Sequence, residues 1–328
     1  MLAFSDDEII RMAREDFIAV AADDWYQRRR QDDVGKFWMA VAQQGRPRNS
    51  QGTRQGIYCF TADGKLLAYK NAGQNPAVMR DTLKAGLAAF QRLPAEVRKP
   101  GALTVGDVAR VDRRYARVPP KGGLVVKVYT RILDRDTSGQ YCKGTCKVRG
   151  GDQAARDHLW LTETEWKSLV PADPKPGDQF ALPDAVGERI ARFHLIDNTR
   201  GEPPMWQRQE VRSRRMTLTV TDLTAGEVRL RLDGAVLLAS QADPDKASRG
   251  FEGRLLGYVA YDRAAKAITR FSVVSVGDHW GRGAFTRNAR PGRAPLGHVF
   301  ELVRGNAPED RIPPQAARQI DAYLGTGR

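Results

Sequence analysis

Between residues 216 and 276 the sequence alternates apolar and polar side chains with period two in five successive runs, 216–220, 228–232, 235–239, 255–261 and 268–276. Alternation puts neighbouring side chains on opposite faces of an extended chain, so each run reads as a half-buried strand. No helical spacing intervenes, and the connection from Tyr261-Asp262 to Lys266 is hairpin-short. The runs therefore predict an antiparallel meander. Such a sheet needs one face covered. The pattern Val186, Ile190, Phe193, His194, beginning at Asp184 and ending near Asp197-Asn198, supplies an amphipathic helix for that purpose.

Upstream, residues 123–133 predict a further strand, and Thr162 with Glu165 forms a capping box stapled by Leu161 and Trp166. His158 falls in a charged stretch expected to be a loop. The first part of the chain has a different rhythm. Ser5 with Glu8 and the Phe4/Ile9 staple predict a helix from Ser5, and the apolar run 17–22 predicts a buried central strand. Val34, Phe37, Trp38 and Val41 recur at helical spacing behind Asp32 and Asp33. Segments 57–60 and 65–69 flank Ala62-Asp63-Gly64 as a hairpin, and Asn75-Pro76 caps a helix with Met79, Leu83, Leu87 and Phe90 on one face.

This order over residues 5–95 resembles the C-terminal portion of the thioredoxin-like fold. The resemblance rests on an apolar strand leading to Trp25 and on the Ala62-Asp63-Gly64 hairpin followed by a helix. It implies an α/β domain. In thioredoxins the Trp precedes Cys-x-x-Cys, but here Tyr26 and Arg29 occupy the cysteine places, and Gly56-Ile57 stand where the family carries its cis-proline. The resemblance thus implies a redox-inactive member.

The expected organisation is an α/β thioredoxin-like domain over 1–93, a Pro/Gly/Arg-rich linker over 94–123, and an α+β domain with an antiparallel meander sheet over 124–328. Pro94, Pro100, Pro119 and Pro120 with Arg110, Arg113, Arg114 and Arg117 make the middle segment read as a solvated charged connector.

Composition narrows the function classes. The chain has 328 residues, 41% hydrophobic and 28% charged, which excludes bulk disorder. No apolar run is long enough to cross a bilayer. Residues 1–10 carry neither a basic nor an apolar leader region, so no signal peptide is expected in this numbering. A mature extracytoplasmic chain fits that as well, which leaves the compartment open. The net charge of +14 divides into +4 over 1–100, +3 over 101–210 and +7 over 211–328, without a polybasic stripe. That spread argues against nucleic acid, although Arg28-Arg29-Arg30 beside Trp25 and Tyr26 joins basic and stacking groups.

Two groups of residues could carry chemistry. Cys142 and Cys146, separated by Lys143-Gly144-Thr145, could close a local disulfide in an oxidising compartment, act as a thiol pair, or bind a soft metal such as copper(I) with a histidine. Only two cysteines in this spacing resemble the C-x-x-x-C loop of copper chaperones, and no second pair completes a structural zinc site. Metal and cofactor therefore stay unassigned. The second group is Asp278, His279 and Trp280 after the last meander strand, with Arg290 and His298 beyond it. If these converge at one end of the sheet they supply a base, an anion clamp and an aromatic wall. No phosphate loop, nucleophile elbow, His-Glu-x-x-His or haem motif is present. The expectation is a binding or scaffold protein, leaning away from an enzyme, that takes a protein partner or a small anionic ligand. A thiol or copper-binding protein and a polyanion or nucleic-acid binder are the alternatives.

Overall fold

The computed structural model describes residues 4, 6–45, 52–71, 75–102, 110–142, 154–283, 286 and 289–325. The chain forms two compact units, Met1–Arg117 and Val118–Arg328.

In the first unit helix α1 (Asp7–Glu15) is capped by the Asp6 side chain, which accepts from the Ile9 amide, so the cap lies one residue beyond the expected Ser5. The expected strand 17–22 does not form: that segment is irregular, with Ile18 and Val20 96% and 76% exposed. An apolar run alone does not distinguish a buried strand from an extended segment with no pairing partner. A short helix α2 (Asp24–Gln27) follows, then α3 (Asp33–Gly45). The hairpin of β1 (Ile57–Phe60) and β2 (Leu66–Lys70) turns through Gly64 at φ 88°, which explains the glycine there. Helix α4 (Pro76–Gln91) is capped by Asn75 as expected and packs Met79 and Leu83 with Ile9, Met12 and Cys59 into a small core.

The segment expected as a linker holds a turn of helix, α5 (Ala95–Arg98), and is bonded to the first unit farther along. The Asp112 amide donates to Asp32 at 2.7 Å, and the Gln31 amide donates back to the Asp112 carboxylate at 3.2 Å. Asp32 also accepts from the Gly35 amide at 3.0 Å. The Arg30 guanidinium holds the Asp32 carboxyl well below the usual carboxylate range.

The second unit is built on one eight-stranded sheet, antiparallel throughout. Its strands are β3 (Leu124–Ile132), β4 (Ala154–Leu161), β5 (Gln179–Ala181), β6 (Val211–Leu223), β7 (Glu227–Ala239), β8 (Arg249–Asp262), β9 (Ala267–Gly281) and β10 (Ala294–Leu302), in the order β4-β3-β10-β9-β8-β7-β6-β5. The meander is present as β6 to β9 and extends into β10, while the two runs 228–232 and 235–239 are halves of the single strand β7. His158 lies in a strand, β4, not in a loop, and is buried.

Three helical pieces serve this sheet. Helix α6 (Glu163–Lys167) carries the expected Thr162/Glu165 capping box. Helix α7 (Asp184–Arg189) covers the inner face and widens into π geometry over Ile190–His194, where the Leu195 amide donates to the Ile190 carbonyl at 3.1 Å. Val186, Ile190, Leu195 and Ile196 pack there against Leu218, Leu230, Leu232, Val259 and Phe300. The last helix, α8 (Ile320–Leu324), guards the β4 edge: the Tyr323 hydroxyl accepts from the outward-facing Trp160 amide at 3.0 Å.

Beside that edge Arg189, almost wholly buried, donates to the carbonyls of Tyr323 at 2.7 Å and Trp160 at 3.1 Å, and to Glu165 at 2.6 Å. Removing one partner of a buried pair leaves an uncompensated charge, which costs about 3–5 kcal/mol, whereas exposed pairs contribute well under 1 kcal/mol. Glu165→Ala should therefore lower the urea unfolding free energy by about 3 kcal/mol or more. Lys167→Ala, which breaks the exposed pair with Glu163, should change it by less than about 0.5 kcal/mol. Equal effects from the two substitutions would contradict the Arg189 anchor.

Candidate functional site

The expected cluster divides between the two faces of the sheet. His279 and His298 point inward, Asp278 outward, because side chains alternate along β9. Asp278 is half-exposed and lies 3.5 Å from Arg135. Trp280 lies flat over Gly250, its cross-strand partner, where a side chain larger than hydrogen would collide with the indole. Its Nε1 donates to the Ala247 carbonyl at 3.0 Å, and Arg293 stacks on its ring at 4.1 Å. Arg290 donates to the Leu133 carbonyl at 2.6 Å and to that of Pro295, so it ties the ends of neighbouring strands together. Cys142 lies beyond β3, its amide bonded to the Asp134 carbonyl at 3.0 Å. Cys146 lies outside the described residues, as do Lys143 and Lys147. Among the described residues no group of three His, Cys, Asp or Glu side chains is placed to hold a metal ion.

The inward histidines belong to a buried polar cluster made by the π turn. That turn presents the Ile196 carbonyl to His298 Nε2 at 3.1 Å and brings Asp197 next to His279. Asp197 accepts from the Thr199 hydroxyl at 2.6 Å and from Arg200 Nε at 2.7 Å. Burial on its own would raise the Asp197 carboxyl, but the Thr199 hydroxyl and the Arg200 guanidinium lower it. Burial pushes His279 and His298 down to about 4 despite the neighbouring carboxylate, so both rings are neutral at pH 7. His298 must then donate through Nε2 to the carbonyl; among the described residues neither its Nδ1 nor the hydroxyl of Ser275, directly opposite on β9, has a hydrogen-bond partner. The adjoining cleft, lined by Ile196, Asp197, Trp206, Arg249, His279 and Thr286, is too narrow to hold a water molecule. Arg249 fills its wall, stacked on Trp206 at 3.9 Å and donating to the Pro204 carbonyl at 2.6 Å. This cluster fastens residues 195–206 to the sheet and, among the described residues, leaves no room for a ligand.

The outer face does offer one. Over β6 to β9 it forms an open trough of about 750 Å³ whose floor includes Ala235, Leu256, Val274 and Val276 and whose arginines are Arg215, Arg231, Arg254 and Arg270. Register explains the layout. One cross-strand row runs Arg215, Ala235, Arg254, Val276, and the next runs Thr217, Asp233, Leu256, Val274, Val299. Leu256, Val274 and Val299 are 45%, 46% and 41% exposed on adjacent strands, with Tyr258 at 42% beside them. Arg231 pairs with Asp233 at 2.8 Å, and Arg270 lies over the Tyr258 ring at 5.1 Å. Among the described residues, no carboxylate pairs with Arg215 or Arg254.

Comparison with protein-family models, with curated proteins and with solved structures returns no match. The sites therefore rest on their geometry. None of the trough residues was singled out by sequence reasoning, although a signal exists. In Leu255-Leu256 and Val273-Val274 an apolar residue stands where alternation calls for a polar one, so both faces of β8 and β9 are apolar there.

A histidine whose folded pKa lies below its ordinary 6.5 takes up its proton mainly on unfolding, so stability is intact above pH 6.5 and falls as the pH drops toward 4. From pH 7 to 4.5 His298 alone should account for about 2–3 kcal/mol of lost stability. His298→Gln, which keeps a donor for the Ile196 carbonyl, should flatten the urea-measured pH dependence by that amount. An unchanged slope in the variant would show that His298 is not buried in its neutral form.

Proposed function

We propose that the chain is a non-catalytic binding protein whose second unit takes its ligand on the outer sheet face. One observation carries the reading: exposed apolar side chains on three adjacent strands, contiguous with two arginines, Arg215 and Arg254, that have no carboxylate partner among the described residues. Isolated exposed apolar residues are ordinary on a protein surface, but a contiguous apolar patch rimmed by polar groups marks an interaction site. The inner polar cluster has the opposite character, being closed and tied to the backbone.

In the same reading the first unit is a redox-inactive, thioredoxin-like element used for structure or partner binding. The hairpin of β1 and β2 followed by α4 supports this, while the strand leading to Trp25, the other half of the resemblance, does not form; the chemistry at the place of the redox motif agrees with the redox-inactive part. Tyr26 is buried there, and Arg29 stacks over Trp25 at 4.3 Å. The unit's one cysteine, Cys59, is buried, and burial pushes its thiol up to about 11, far from the range of an attacking thiolate.

The neutral solvatochromic dye Nile red tests the face without invoking charge. The protein at pH 7 should bind it saturably, one per chain, and Leu256→Asp with Val274→Asp should abolish the signal. Both positions are exposed, so the circular dichroism spectrum should not change. No saturable binding, or binding that survives the double substitution, would overturn the assignment.

A further inference from the structure

We infer that the occupant of the outer face is an amphiphilic anion, a single unbranched alkyl chain ending in one carboxylate head group. The inference rests on the reading of that face as the binding surface and adds the chemistry of what binds.

The head-group position follows from the row Arg215, Ala235, Arg254. The two arginines stand on strands two apart, so their Cα atoms are separated by about 10 Å. Between them the row presents only the Ala235 methyl. Both guanidinium groups line the trough, and each is long enough to lean over a notch of that width and so to reach one small anion held between them. Neither is neutralised by a carboxylate among the described residues, whereas their neighbours Arg214, Arg229, Arg231 and Arg293 all are. Arginine's fixed fork matches a carboxylate in bidentate geometry and binds it with charge-assisted hydrogen bonds.

The tail position follows from the next row. Leu256, Val274 and Val299 cross β8, β9 and β10 side by side, beginning next to Arg254 and leading away from it. Two strand spacings give this strip a length of about 10 Å, which a medium-length alkyl chain covers. Burial of such a chain against the strip removes apolar surface from water on both partners.

A longer polyanion fits less well. Asp233, Glu252, Asp278 and Glu301 stand on the same face, and the first three are already paired with Arg231, Arg293 and Arg135, so beyond Arg215 and Arg254 a charged polymer crossing the sheet meets cations whose charge is largely taken up. A compact head with an uncharged tail needs only Arg215 and Arg254.

The test uses the full chain and three competitors for bound Nile red: decanoate, decan-1-ol and inorganic phosphate. Decanoate should displace the dye at one per chain, at concentrations at least about tenfold below those needed for the alcohol, with phosphate ineffective. Arg254→Gln and Arg215→Gln should each weaken decanoate by about tenfold while leaving the alcohol and the dye unchanged. If the dye binds but decanoate competes no better than decan-1-ol, or if the two variants bind decanoate normally, the anionic head is wrong and the binding face stands. If phosphate competes as well as decanoate, the amphiphile is wrong. If neither dye nor decanoate binds, the reading of the face itself fails.

Discussion

The helix that widens into a π turn over Ile190–His194 decides which face of the eight-stranded sheet is available. Packing Val186, Ile190, Leu195 and Ile196 onto the inner apolar positions of the long strands buries the core of one face. The same turn throws Asp197 and the Ile196 carbonyl toward β9 and β10, where His279 and His298 meet them. The widened turn thus converts a hydrophobic contact into a fixed register between helix and sheet. With that face packed and the Trp160 amide on the β4 edge capped by Tyr323, the outer surface of β6 to β10 is the face of the sheet that the described helices leave open.

Charge pairing follows the same division. Inside the second unit the buried arginines and two of the buried aspartates have charged partners: Glu165 for Arg189, Glu188 for Arg192, Glu210 for Arg249, Arg200 for Asp197, and Lys127 with Arg156 for Asp310. An unpaired buried charge would cost several kcal/mol, about as much as many domains have in total stability. On the outer face no such penalty applies, and there Arg215 and Arg254 stand without a carboxylate partner among the described residues. Much of the chain's +14 is an ordinary solvated surface; the part with directional content is this pair beside an apolar strip.

Much of the second unit was legible in the sequence because period-two alternation reports directly on a sheet with one buried face. The capping box at Thr162 and the amphipathic pattern from Asp184 were legible for the same kind of local reason. What could not be read depends on long-range partners. Residues 17–22 look like a buried strand, but burial is supplied by neighbours that the run itself does not encode, and Ile18 and Val20 end up in water. His158 is flanked by charges, yet Lys127, Arg156 and Asp310 turn those charges into a local ion network on a strand. The candidate group of Asp278, His279, Trp280, Arg290 and His298 was chosen by nearness in sequence. Pleating then sent His279 and Asp278 to opposite faces. The trough was missed because its signal, the doubled Leu255-Leu256 and Val273-Val274, gains meaning only once β8 and β9 are aligned with β10.

The most direct measurement is an amide chemical-shift map of the isotope-labelled protein titrated with decanoate. The account predicts saturating shifts centred on Arg215, Ala235, Arg254, Leu256, Val274 and Val299, with the amides of Asp197, His279 and His298 unmoved. Shifts centred on the inner cluster, with the outer face silent, would contradict it.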